Sequence, residues 1–270
     1  MVGDGRGFDM AETTAGAGGK QAGTARDAGK LRAFHRNTPD DYFTHAVRDF
    51  PLPQRIAFCI VVLIVTGVSK LLWRWHFEDG ELLWKDRRGR VLVMNHESML
   101  DPVVVICSLY LHGITVRPIY KSEFGKTRIV TWFFSHVGGI PVKRSAADMQ
   151  FVRRSEAALR RGECILIFPE GTRVRSDDQP IEFHKGFALV ARLAKAPVQP
   201  VAIVGARDIT PQGTHFKRFV KVHCKAGACI SFDELGVKGR KEQANAMEKA
   251  VMERVYGLRD ELRREHPGKM

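Results

Sequence analysis

His96 and Asp101 stand five positions apart in NHESMLD (95–101), between the apolar run VLVM and a second run, VVVICSLYL. A histidine and a carboxylate so close suit proton abstraction. A neutral imidazole takes a proton at one nitrogen only while the other keeps its hydrogen, and a nearby carboxylate fixes that tautomer. The spacing permits this pair without requiring it, because Asp101 before Pro102 also reads as a helix N-cap followed by proline at the first helical position.

The elements that must position these residues follow from the apolar runs. RVLVMN (90–95), TVRPIY (115–120), GIPVK (139–143), CILIFP (164–169), QPVAIVG (199–205) and RFVKVHC (218–224) read as strands. Helical stretches at 102–112, about 123–136, 146–161 and 185–195 alternate with them. This alternation predicts an α/β fold, a largely parallel sheet covered by helices on both faces. In such a sheet the carboxyl ends of the strands open into one crevice, where helix amino ends favour anions. The strand exits share a chemical theme: Lys121 follows RPIY, Lys143 and Arg144 follow GGIPV, and PEGTR (169–173) follows CILIF. Cations and flexible glycines are what a phosphate site requires. Taken alone, PEGTR is equally a turn in which Glu170 pairs with Arg173. A charged amphipathic helix from Lys241 to about His266 reads as a solvated face packed on the body.

A chain of 270 residues fits one catalytic domain with an extension. Its net charge is +13, from 43 Lys+Arg against 30 Asp+Glu, which points to a polyanionic partner. Residues 1–55 hold eight basic and seven acidic residues, so nearly all the excess belongs to the remaining body. No RNA-binding strand pattern or DNA-binding motif accompanies this charge, so no nucleic-acid partner is expected. The five cysteines are scattered, three of them inside apolar runs, and read as reduced core residues of a cytosol-facing protein. HCKAGAC (223–229) lacks the second ligand pair of a zinc site, and no metal is expected.

Residues 1–38 are expected to form a disordered tail, because their Gly, Ala and Thr bury too little surface to offset chain entropy. Residues 39–78 read as a membrane-associating segment, and residues 79–270 as the main domain. PDDYFTHAVRDF (39–50) suits a short amphipathic helix. IAFCIVVLIVTGVS (56–69) is uncharged and runs into KLLWRWHF, whose tryptophans and cations suit a lipid–water interface. About 14 apolar residues fall short of the roughly 20 a span requires, so an interfacial or shallowly inserted helix is expected, with a true span as the alternative. The run lies too far from Met1 for a signal peptide.

Together, NHESMLD, GGIPVKR (138–144), FPEGTR (168–173) and APVQPVAIVG (196–205), in this order, resemble the glycerolipid acyltransferase family that includes bacterial 1-acylglycerol-3-phosphate acyltransferases. The resemblance covers roughly residues 75–235, and KSEFGK (121–126) and EFHKGFALVA (182–191) also look like family segments. It implies transfer of a fatty acyl group from acyl-CoA or acyl carrier protein to the free hydroxyl of 1-acylglycerol 3-phosphate, giving phosphatidic acid at the cytoplasmic face of a membrane. His96 would be the general base and Asp101 its orienting partner. Arg144, Glu170, Gly171, Thr172, Arg173, Lys121 and Lys185 would bind substrate. No cofactor is implied beyond the acyl donor, and Ser98 need not act as a nucleophile because the thioester is already activated. Lys143 departs from the family's usual Asp before the motif arginine, and GACI (227–230) from its GxPI-like turn; the first bears on acceptor preference. Acylation of glycerol 3-phosphate or another lysophospholipid, and a catalytically silent lipid-phosphate binder on the same membrane, are the alternatives.

Overall fold

Strands apolar at every position need cover on both faces. The computed structural model describes residues 39–123, 134, 136–143, 148–184, 186–211, 213–215 and 217–267. In chain order the elements are α1 (Pro39–Thr44), α2 (Leu52–Trp73), β1 (His76–Glu78), α3 (Glu81–Trp84), β2 (Val91–Met94), α4 (Asp101–Leu111), β3 (Val116–Lys121) and β4 (Ile140–Val142). They continue with α5 (Met149–Arg160), β5 (Cys164–Ile167), α6 (Gly186–Ala194), β6 (Val198–Val204), β7 (His223–Ala226) and α7 (Arg240–Glu265). The sheet runs β1-β7-β6-β2-β5-β3-β4. The five strands from β6 to β4 are parallel, while β7 pairs antiparallel with β6 and carries β1 parallel on its outer edge.

Side-chain alternation divides the core as the pattern requires. Leu92, Met94, Leu166 and Ile203 pack with Val104, Val105 and Leu109 of α4 on one face. Val91, Val93, Ile165 and Ile167 pack with Phe187 and Val190 of α6 and Met247 and Val251 of α7 on the other. The α/β fold with a largely parallel, doubly covered sheet is therefore as the alternation predicts.

Three differences from the sequence reading have physical causes. His76–Glu78 is an edge strand of the sheet rather than the end of a membrane segment, so the body begins before residue 79. Three residues are too few to show a period. The last strand begins at His223 instead of Arg218, because the stretch before it is held by the end of α2: Trp73 Nε1 donates to the Arg218 carbonyl and Val222 N–H to the Trp73 carbonyl. Finally, α2 is one unbroken helix of 22 residues, about 33 Å long at 1.5 Å per residue, and is long and apolar enough to cross a membrane. Lys70 does not end the apolar stretch because helix continues through Leu71, Leu72 and Trp73. The expected tail at 1–38 and most of the expected helix at 123–136 lie outside the described residues.

Residues 39–50 are latched to the body by a buried ion pair. Arg117, fully buried, donates from Nε to Glu163 Oε2 at 3.0 Å and from its terminal nitrogens to the carbonyls of Tyr42 and His45. Glu163 Oε1 accepts the Val47 N–H at 3.0 Å. Loss of either partner would strand a buried charge. From this latch α2 runs along α4, with Phe58 edge-on to Tyr110 at 5.0 Å. Val62, Thr66 and Ser69 form its one buried stripe. Much of the rest of its surface is exposed apolar side chain, with Ile60 51%, Ile64 60% and Leu71 79% exposed.

Candidate active site

The two loops that leave β2 and β5 are sewn together at His96. Asn95 extends the β2–β6 ladder through its side chain: its amide donates to the Ile203 carbonyl and accepts the Ile203 N–H, at 2.9 and 2.8 Å. His96 then has both backbone groups held by the PEGTR loop, its N–H by Glu170 Oε2 at 2.7 Å and its carbonyl by the Val174 N–H at 2.7 Å. Phe168 stacks on the imidazole at 4.2 Å.

Asp101 fixes the ring. Its Oδ2 lies 2.8 Å from His96 Nδ1 and also accepts the backbone N–H groups of Glu97 and Ser98, at 2.6 and 2.8 Å. The carboxylate is fully buried and His96 is 15% exposed. Asp101 is the first residue of α4 rather than its N-cap, which is Leu100, and its side chain turns back into the loop instead of onto the helix amino end. An acceptor at Nδ1 leaves the lone pair on Nε2, which has no partner among the described residues.

Glu170 does not pair with Arg173 in a turn. Its second oxygen accepts the hydroxyl of Tyr256, from α7, at 2.6 Å. Burial pushes the Glu170 carboxyl up, partly offset by these hydrogen bonds. Burial and the Glu170 carboxylate push the Tyr256 phenol well up, so it remains a donor. Helix α7 is therefore part of the site's support as well as a solvated face. Glu97, also buried, accepts the Arg207 N–H at 3.2 Å and lies 3.8 Å from Arg263. Burial first, then the neighbouring Asp101, push its carboxyl up to about 7.

Among the residues expected to bind substrate, Gly171 has φ +59°, and a Cβ there would meet the His184 ring. Thr172 is exposed and Arg173 half-buried at the same strand exit. Lys121 ends β3 and Lys143 directly follows β4, both at the carboxyl ends of parallel strands. At about 4.8 Å per strand, the exits of β3 and β4 stand roughly 10 and 14 Å from that of β2. Arg144 and Lys185 lie outside the described residues. Sequence reasoning missed Asn95, Glu97, Phe168 and Tyr256. Only the first three sat inside motifs already singled out.

Beside the His96–Asp101 loop, an apolar groove of about 430 Å³ runs between α2 and the body, lined by Val65, Val68, Ser98, Leu100, Val103 and Ile209 among others.

Residues 76–204 match the acyltransferase family model. A chloroplastic 1-acyl-sn-glycerol-3-phosphate acyltransferase of Arabidopsis thaliana is 32% identical over 144 residues, 53% of this chain and 39% of that one. The chain thus spans about two-fifths of that relative's length. The 1-acyl-sn-glycerol-3-phosphate acyltransferase of Bacillus subtilis is 24% identical over 174 residues, 64% of this chain and 83% of that one. The crystal structure of the 1-acyl-sn-glycerophosphate (LPA) acyltransferase PlsC from Thermotoga maritima shares the fold, with TM-score 0.59 and 23% identity over 76% of this chain and 80% of that one.

Proposed function

We propose, from the match of residues 76–204 to the acyltransferase family model, that the chain moves a fatty acyl group from acyl-CoA or acyl carrier protein to the free hydroxyl of 1-acylglycerol 3-phosphate. The product is phosphatidic acid. The observation that carries this reading is the 2.8 Å contact from His96 Nδ1 to a buried Asp101 in a loop bound to the PEGTR exit.

His96 Nε2 takes the acceptor proton as the hydroxyl oxygen attacks the thioester carbonyl. Asp101 holds the tautomer and stabilises the imidazolium. The new C–O bond forms, the C–S bond breaks, and the imidazolium returns its proton to the departing thiolate. Arg173 and Arg144, with the Gly171 N–H, hold the acceptor phosphate and turn a bimolecular attack into an oriented one. Lys121, Thr172 and Lys185 complete the anionic subsite. Glu170 acts through His96, since both its oxygens are engaged by the His96 N–H and the Tyr256 hydroxyl. The groove beside Ser98 and Leu100 suits an acyl chain.

The site works against a bilayer. An exposed apolar face on a 22-residue helix needs cover, and lipid supplies it. Both ends of α2 are tied to one body, through Val47 and Arg117 before it and β1 after it, which supports a helix lying in the interface over one that spans. The basic body favours an anionic leaflet, which at the cytoplasmic face would be rich in acidic lipid.

The test is purified full-length chain in mixed micelles with radiolabelled acyl-CoA, or acyl carrier protein, and a panel of acceptors. Lysophosphatidic acid should be acylated, glycerol 3-phosphate and neutral lysolipids much less. His96→Ala should abolish transfer while the protein remains folded; near-normal turnover would remove the general-base role.

A further inference from the structure

The outer edge of the sheet carries a polar cluster that acyl transfer does not use. We propose that Glu78, His223 and His266 form a binding site for one divalent transition-metal ion of the zinc class, tying β1 and β7 to the carboxyl end of α7. One donor atom from each of the three side chains lies within 4.8 Å of the other two. His266 Nε2 is 2.6 Å and His223 Nδ1 3.8 Å from the same carboxylate oxygen. Tetrahedral zinc with bonds of about 2.0–2.2 Å sets its donor atoms roughly 3.3 Å apart, a value that these two distances bracket. The imidazoles stack, with centroids 3.5 Å apart and planes 15° off parallel, so metal binding requires His266, the partly exposed ring after α7, to turn about its Cβ–Cγ bond and bring its in-plane lone pair toward that of His223.

Two further observations point to a ligand. His223 Nδ1 is buried with no hydrogen-bond partner, which a metal bond would supply. Around it, Glu78, Glu261 and Glu265 converge on Lys225 at 3.7, 3.6 and 3.5 Å. Glu261 is also paired with Arg254 at 3.2 Å, so three carboxylates against two cations leave a local excess of one negative charge, within a chain whose net charge is +13. That suits a dication.

The pairing register explains why no local motif announces the site. His76 and Glu78 share one face of β1, and their partners His223 and Lys225 share it on β7, opposite the core-facing Cys224. The third ligand follows α7, more than forty residues further on. HCKAGAC thus contributes its histidine and neither cysteine.

The experiment uses the full chain in detergent, stripped with a chelator and then dialysed against Zn²⁺, with bound metal counted by mass spectrometry. Co²⁺ substitution reports the coordination geometry by visible absorption. One equivalent should bind, with a tetrahedral Co²⁺ spectrum and a higher thermal midpoint. His266→Ala and Glu78→Gln should each weaken binding at least about 100-fold, beyond the effect of losing an outer-shell partner. His266 lies after the last turn of α7, so its replacement leaves the core intact. His223→Ala should do the same if it folds. Folded wild-type chain that retains no metal from micromolar Zn²⁺ overturns the site, and so does an equivalent that survives unchanged in His266→Ala and Glu78→Gln.

Discussion

Asp101→Asn separates two roles that a buried carboxylate beside histidine combines, those of fixing the tautomer and of supplying charge. In the serine-protease triad the same replacement yields the wrong imidazole tautomer and lowers kcat about 10⁴-fold. The present geometry predicts a smaller loss. Asp101 Oδ2 accepts three donors, and two of them are the immovable N–H groups of Glu97 and Ser98. An asparagine amide turned toward them would clash donor against donor, so its carbonyl oxygen must take the Oδ2 position and His96 keeps its proton on Nδ1. What is lost is the charge. A hydrogen bond to an ionised group exceeds a neutral one by about 1–1.5 kcal/mol, and the imidazolium–carboxylate attraction is about 4 kcal/mol at 4 Å near an effective dielectric of 20. Allowing for partial compensation, the transition state loses roughly 3–4 kcal/mol, or about 10²- to 10³-fold in kcat. The asparagine NH₂ takes the place of Oδ1, which is buried without a partner, so stability falls by about 1–3 kcal/mol. Steady-state kinetics beside His96→Ala give the answer. A loss equal to that of His96→Ala would mean that the tautomer has flipped, and a loss under about fivefold that Asp101 is only a structural turn; either refutes this reasoning.

Four other outcomes are expected. Tyr256→Phe leaves Glu170 Oε1 buried without its donor, costing about 1–3 kcal/mol in denaturant titrations, with kcat lowered and acceptor KM little changed. For Glu97 the sign follows from a folded pKa above the ordinary 4.5: the folded chain binds the proton more tightly. Stability therefore falls by roughly 3 kcal/mol as pH rises from about 4.5 to about 7, and Glu97→Gln should flatten that slope; parallel profiles would assign it to another group. Arg173→Ala should raise the acceptor KM by the equivalent of about 2–4 kcal/mol for losing a phosphate contact, and an unchanged KM would move the phosphate elsewhere. Ile60→Asp with Ile64→Asp, both on the exposed face of α2, should release the folded chain from anionic vesicles in flotation assays. This is a cleaner perturbation than deleting residues 1–75, which would also strand the buried Arg117–Glu163 pair.

What the sequence disclosed divides along physical lines. The doubly covered sheet was legible because VLVM and CILI are apolar at every position, and both are buried throughout. His96 and Asp101 were legible because their chemistry is local, five residues apart. The cap reading of Asp101 failed because three donors in the preceding loop, His96 Nδ1 and the N–H groups of Glu97 and Ser98, compete for its carboxylate. Tyr256 was hidden because it lies 86 residues from Glu170 in a helix whose charge pattern speaks of solvent. β1 was hidden because HFE follows the interfacial-looking KLLWRW, and its strand character comes from pairing with β7.

Under the proposed function, helix α4 connects lipid to chemistry more directly than either motif suggests. Its first residue is Asp101, and its flank carries α2 through Phe58 and Tyr110. The groove between α2 and the body is walled on one side by Val65 and Val68 and on the other by Ser98 and Leu100, inside the loop that Asp101 organises. A shift of α2 would therefore change the width of that groove beside the loop. Asp101 resists such a shift through three hydrogen bonds to one oxygen, and Glu170 and Val174 clamp the backbone of His96 from the opposite strand exit. The helix is thus free to meet lipid on its bare face, while the imidazole is held from both sides of the crevice.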